Sequence, residues 1–217
     1  MHLLDDQRVE AAILFASRVC SAPGVYREQG SFVGHASMSA IVRYVQATVP
    51  IPIHIWDVSF EARRVGSRLE RYGDRIEISL HASQDHNWKR FCTVKELVHI
   101  LIDREGDFSP YGEHRLTDLL DKGLIGLASG VNPTQAPTQS ELAAEIAAIE
   151  ILYPAQQILE DLEAQKATDP TARPNNLRIA LERQMPDFYA STALHPDFRG
   201  YLLKAMEQCE ERRNSGK

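Results

Sequence analysis

The chain has 217 residues, 43% hydrophobic and 25% charged, a balance that lets a globular protein bury a core without disulfides or structural metal. A formal charge of -6 excludes the global positive field that would draw it directly to nucleic acid or to an anionic membrane. Cys20, Cys92 and Cys209 lie far apart with no C-x-x-C pair, so neither a disulfide framework nor a thiolate zinc site is indicated.

The opening stretch, MHLLDDQRVEAAILFASRVC, is acidic at its start and amphipathic, unlike a signal peptide. No apolar run approaches the length of a membrane span, so a cytoplasmic protein is expected. Val9, Ala12, Ile13, Ala16, Val19 and Cys20 recur at helical spacing until SAPG breaks the run. A second helix fits SMSAIVRYVQATV, with Met38, Ile41, Val42, Val45 and Val49 on one stripe. IPIHIWDV follows as a short strand, and Pro50 and Pro52 suit a strand start or a sheet edge. In VGSRLERYGDRIEISL, Ile76, Ile78 and Leu80 alternate with Glu77 and Ser79 after the turn residues of RYGDR, which predicts a hairpin. Asp85 or Asn87 then caps a helix from about Trp88 to Asp103 with an apolar face of Phe91, Val94, Leu97, Val98 and Leu101.

The second half reads as helical. A helix around 115 to 128 leads into the loop SGVNPTQAPTQ, and SELAAEIAAIEILYPAQQILEDLEAQ is a long helix kinked or interrupted near Pro154. ATDPTARPNN is a linker. Two further helical segments close the chain around LHPD: NNLRIALERQMPDFYASTALH, long enough for a helix–turn–helix pair, and the amphipathic DFRGYLLKAMEQCEERR. The expected fold is α+β, a small twisted sheet with a hairpin packed on helices and a mostly helical C-terminal half. Residues 1–155 form the first domain, and 156–217 a helical extension packed on it.

RFCTVKELVHILID, residues 90–103, carries the chemistry. Glu96 and His99 stand where H-E-x-x-H has its glutamate and second histidine, and Lys95 takes the place of the first histidine. On a helix, residues four apart share a face, so two imidazoles would reach one metal with the glutamate beside its water as general base. Downstream, Glu141 stands with Glu145 one turn later. Thermolysin-like zinc peptidases draw a third ligand and a second-shell residue from such a pair. Asp103, four after His99, is a candidate second-shell acceptor for its imidazole, or else an exposed helix-end aspartate.

The order RIEISL, RFCTVKELVHILID, ELAAEIAAIEILYP resembles the ImmA/IrrE family of metallopeptidase-like proteins over roughly residues 40–155. Counted back from Pro154, Glu141 falls on that family's third ligand, while Glu150, Ile151, Leu152 and Pro154 fall on its E-L-L-x-P text. The resemblance implies zincin-like helices and a cytoplasmic zinc endopeptidase. It further implies Glu96 as the catalytic base, His99 and Glu141 as metal ligands, and a helix-turn-helix repressor as protein partner. Two departures stand out: Lys95 in the ligand position, and Glu145 where asparagine or aspartate is usual.

A protonated lysine is a poor zinc ligand at neutral pH, which leaves His99 and Glu141 one short of the usual three. His86 and His114 are the histidines that would have to step in. Otherwise Lys95 replaces the metal, pairing with Glu141 between converging carboxylates. Plainer readings stand beside this one. Lys95 and His99 also suit the polar face of an amphipathic helix, Glu141 a capping box with Thr138, and Glu145 and Glu150 solvated positions. Trp56, Tyr111 and Tyr153 would line a peptide groove or belong to the core; Cys92 reads as inert packing, and His35, His54, His81 and His195 as strand or surface residues.

Three functions follow. One is a metal-free, degenerate peptidase fold used as a regulatory protein-binding module. The second is an active zinc endopeptidase with an altered ligand set, and the third an enzyme using Lys95 as base or nucleophile.

Overall fold

The computed structural model describes residues 6–26, 28–29, 32–33, 35–60, 66–104, 107, 136–168 and 174–215. These residues form an α+β fold of eight helices, a three-stranded sheet and a two-residue pair of strands. The predicted helix at 115–128, His114 and Tyr111 lie outside the described residues.

Helix α1 (Asp6–Cys20) buries Val9, Ala12, Ile13, Ala16 and Val19, the stripe its spacing predicts. Gly24, at φ 78°, turns the chain out of it in a conformation that favours glycine. Short strands β1 (Glu28–Gln29) and β2 (Phe32–Val33) pair antiparallel, and α2 (Met38–Thr48) follows, buried through Ala40, Ile41 and Val45. Strand β3 (Ile53–Val58) lies at one edge of the sheet, beyond the two prolines that precede it. Strands β4 (Ser67–Arg71) and β5 (Ile76–His81) form the antiparallel hairpin, with β5 central and parallel to β3.

Asp85 caps α3 (His86–Ile102) by accepting the Trp88 N–H at 2.9 Å. Every residue from Arg90 to His99 is buried, so this is a central helix, with polar groups inside the protein on all sides. Helix α4 (Ala136–Leu152) is its neighbour; its alanines permit close approach to α1 and α3, and 142–152 are buried without a break. It begins earlier than expected: APTQ, read as loop, is helical. Pro137 needs no N–H in the first turn, and Thr138, inside the helix and buried, is no capping-box residue for Glu141.

The predicted interruption falls at Tyr153–Pro154, where α5 (Ala155–Thr168) begins. Pro154 has no N–H for the Glu150 carbonyl, and the Ala155 N–H turns instead to the Glu150 carboxylate at 3.0 Å. The two stranded carbonyls are met from the end of α1: Cys20 Sγ donates to the Glu150 carbonyl at 3.8 Å and the Tyr26 hydroxyl to that of Ile151. Three helices follow: α6 (Asn176–Arg183) and α7 (Asp187–Leu194) make the first segment the pair its length allows, and α8 (Pro196–Ser215) closes the described chain. One hydrophobic core runs from Val9 in α1 to Ala205 in α8.

Candidate functional site

Helices α3 and α4 run antiparallel as a ladder of polar contacts. Asp103 meets Ser140 at one end, His99 and Lys95 meet Glu141 in the middle, and Phe91 and Glu145 share Tyr189 at the other. Lys95 Nζ donates to Glu141 Oε2 at 2.7 Å and lies 3.2 Å from Glu96 Oε1. Its side chain is 7% exposed and that of Glu141 16%, so the pair is an interior ion bridge, and the solvated polar-face reading of Lys95 and His99 fails. A lysine is almost never buried this far without carboxylate partners, and here the neighbouring turn and the facing helix supply them.

His99 is held at both ring nitrogens. Nδ1 lies 2.9 Å from Asp103 Oδ1, and Nε2 lies 3.3 Å from Glu141 Oε1, a charge contact without hydrogen-bond geometry. Asp103 is thus no exposed helix end: its carboxylate also accepts from the Ser140 hydroxyl and from Arg71 of β4 at 3.0 Å. Arg71 reaches the His99 carbonyl as well, at 2.8 Å, closing the C-terminal turn of α3. From the first residue of β4, the Ser67 hydroxyl donates to Glu96 Oε1 at 2.6 Å. The plainer, solvated reading of Glu145 and Glu150 fails, since both are buried; Glu145 Oε1 accepts the Tyr189 hydroxyl of α7 at 3.1 Å, and Glu150 caps α5.

Ser67, Arg71, Ser140 and Tyr189 went unseen at the level of sequence. The first three belong to elements that were predicted, and inward alternation along β4 places Ser67 and Arg71 on the face of the sheet toward α3. Tyr189 had no such signal.

The charges balance within the cluster. Burial alone pushes the Lys95 ammonium down, but the Glu141 and Glu96 carboxylates reverse this and hold it well above the ordinary lysine range. Burial likewise opposes the His99 imidazolium, and Glu141 and the bond to Asp103 raise it to about 10. Glu141, which burial would raise, is held far below the carboxylate range by Lys95 and His99. Against its own burial, Asp103 is held low by His99. Lys95 and His99 thus face the Glu141 carboxylate from two sides, one at each of its oxygens.

These residues do not fit a catalytic zinc. His99 Nε2 and Glu141 Oε1, 3.3 Å apart, have about the separation of two ligands on one tetrahedral ion. Lys95, at the place of the motif's first histidine, instead holds an ammonium bonded to Glu141. His86 opens α3 on the exposed surface, about 13 Å along the helix axis from Lys95, and takes no part. Among the described residues no group of three or more His, Cys, Asp or Glu is placed to hold a metal ion.

The remaining candidates divide between core and surface. Tyr153 is fully buried and donates to Asp161, whereas Trp56 is 51% exposed on β3 and stacks on His54. Cys92 is buried, its thiol pushed up by burial. His35 and His195 are exposed, and His81 bonds the Ser83 that follows its strand. No helix among the described residues is long and apolar enough to cross a membrane. Searched against protein-family models and against curated proteins, the chain matches none.

Proposed function

We propose that the chain is a degenerate ImmA/IrrE-type metallopeptidase-like protein, free of metal, acting in the cytoplasm as a regulatory module that binds a protein or peptide. A helix-turn-helix repressor is the partner its resemblance implies. One observation carries this reading: Lys95, in the position of a ligand, bridges Glu141 and Glu96 inside the protein. The bridge keeps α3 and α4 at the spacing a metal would impose while leaving no Lewis acid to polarise a scissile carbonyl. Glu96, the would-be general base, is engaged by Ser67 and Lys95. The strongly held proton on Lys95 also weighs against its use as a base or nucleophile.

The rival reading is an active zinc endopeptidase with an altered ligand set. In its favour stands the buried His99 Nε2, which makes no hydrogen bond and faces Glu141 Oε1. Elemental analysis of protein purified without chelator separates the two. Normally folded protein lacking stoichiometric zinc, and taking up none in calorimetric titration, is expected; stoichiometric zinc overturns the proposal in favour of its rival.

A further inference from the structure

The antiparallel ladder places Glu145 opposite the Phe91–Lys95 turn of α3, one helical turn beyond the Glu141 that Lys95 bonds. Histidine ligands of metals hand their second ring N–H to an acceptor, commonly a carboxylate, which fixes the tautomer and the ring orientation. On the resemblance, Glu145, one turn after the Glu141 that Lys95 bonds, is the carboxylate that would do this for a ligand at position 95. In this chain it is engaged from elsewhere. Tyr189 of α7 donates its hydroxyl to Glu145 Oε1 at 3.1 Å. The phenol ring stacks on Phe91, centroids 3.6 Å apart and planes 15° from parallel, and the edges of Trp88 and Phe188 brace it.

We infer that Tyr189 is a positioning residue that completes the replacement of the metal site, holding Glu145 away from the shell of position 95. The site is then closed to metal in two layers, by an ammonium where a ligand would stand and by a phenol on the carboxylate that would orient that ligand. This inference rests on the metal-free, metallopeptidase-like reading of the site. It goes further by assigning a role in that site to the C-terminal helices, which lie outside the residues that resemble the family. Tyr189→Phe isolates the effect, since it keeps the ring stacked on Phe91 and removes only the hydroxyl.

The test compares zinc binding by Lys95→His with that by Lys95→His/Tyr189→Phe, measured by competition with a chromophoric chelator. Release of Glu145 to orient the introduced imidazole is expected to tighten binding by about 10–100-fold. Equal or weaker binding by the double variant overturns the inference and leaves the metal-site geometry standing. No zinc binding by either variant overturns both the inference and the reading beneath it. A variant that folds only with zinc still reports its affinity, through the zinc concentration at which its helical circular dichroism returns. Tyr189→Phe alone is expected to bind no zinc, because Lys95 still closes the first layer; binding by that variant overturns the two-layer account.

Discussion

At the scale of single residues, Lys95 is held by obligation more than by strength. Buried ion pairs contribute little net stability relative to apolar residues of the same shape, yet removing one partner leaves the other charged and dry. Lys95→Met should therefore cost about 3–5 kcal/mol in urea unfolding at neutral pH, and adding Glu141→Gln should recover much of that loss. A cost below about 1 kcal/mol would place the pair in water, as for a surface bridge. The Lys95–Glu141 contact was expected from the family resemblance, which sets the two positions facing each other; spacing alone places only Lys95 and His99 on one face of a helix. The role of Asp103 was not legible in the sequence, since spacing cannot tell an acceptor from an exposed helix end. Arg71 and Ser140, arriving from β4 and α4, decide it.

At the scale of elements, the break between α4 and α5 is the sharpest local event. Pro154 made it visible in advance, but the groups that satisfy the freed carbonyls come from Cys20 and Tyr26, more than a hundred residues upstream. The start of α4 was misplaced for a related reason: T-x-x-E mimics a capping box, while burial of Thr138, Gln139 and Ser140 extends the helix backwards. Glu150 gives the break a pH signature. Burial raises its carboxyl from 4.5 to about 7 against the lowering bond from Ala155, so the folded chain keeps a proton that the unfolded chain releases. This contribution is full below about pH 4.5 and is lost as pH rises toward 7. Glu150→Gln keeps an oxygen for the Ala155 N–H and removes the titration. Its stability relative to the parent should climb across that window, by up to about 3 kcal/mol above it. Parallel urea curves for the two proteins at every pH would rule this out.

At the scale of the whole molecule, the core crosses position 155 without a seam. Tyr153, Ile158, Tyr189 and Leu202 belong to the same cluster as Val9 and Phe91. Thermal unfolding is accordingly expected as one cooperative transition, with calorimetric and near-ultraviolet signals superimposed. Two separated transitions would instead show that 1–155 unfolds as a unit of its own. The fold class and most helices could be read from periodicity. The strand order could not, because alternation along β3, β4 and β5 is the same whichever strand is central. Nor could Tyr189, whose partners Glu145 and Phe91 are distant in sequence and whose own segment carries no pattern pointing to them.

The bridge at Lys95 also has a genetic consequence. Lysine and histidine codons differ at both the first and the third base, so the shortest exchange by single-base steps, two in number, passes through glutamine or asparagine. Either intermediate is uncharged and would leave Glu96 and Glu141 facing each other with His99 as the nearest remaining cation. The ammonium therefore occupies a position from which the shortest mutational route to histidine crosses a destabilised intermediate, and the interior electrostatics of one helix set the height of that barrier.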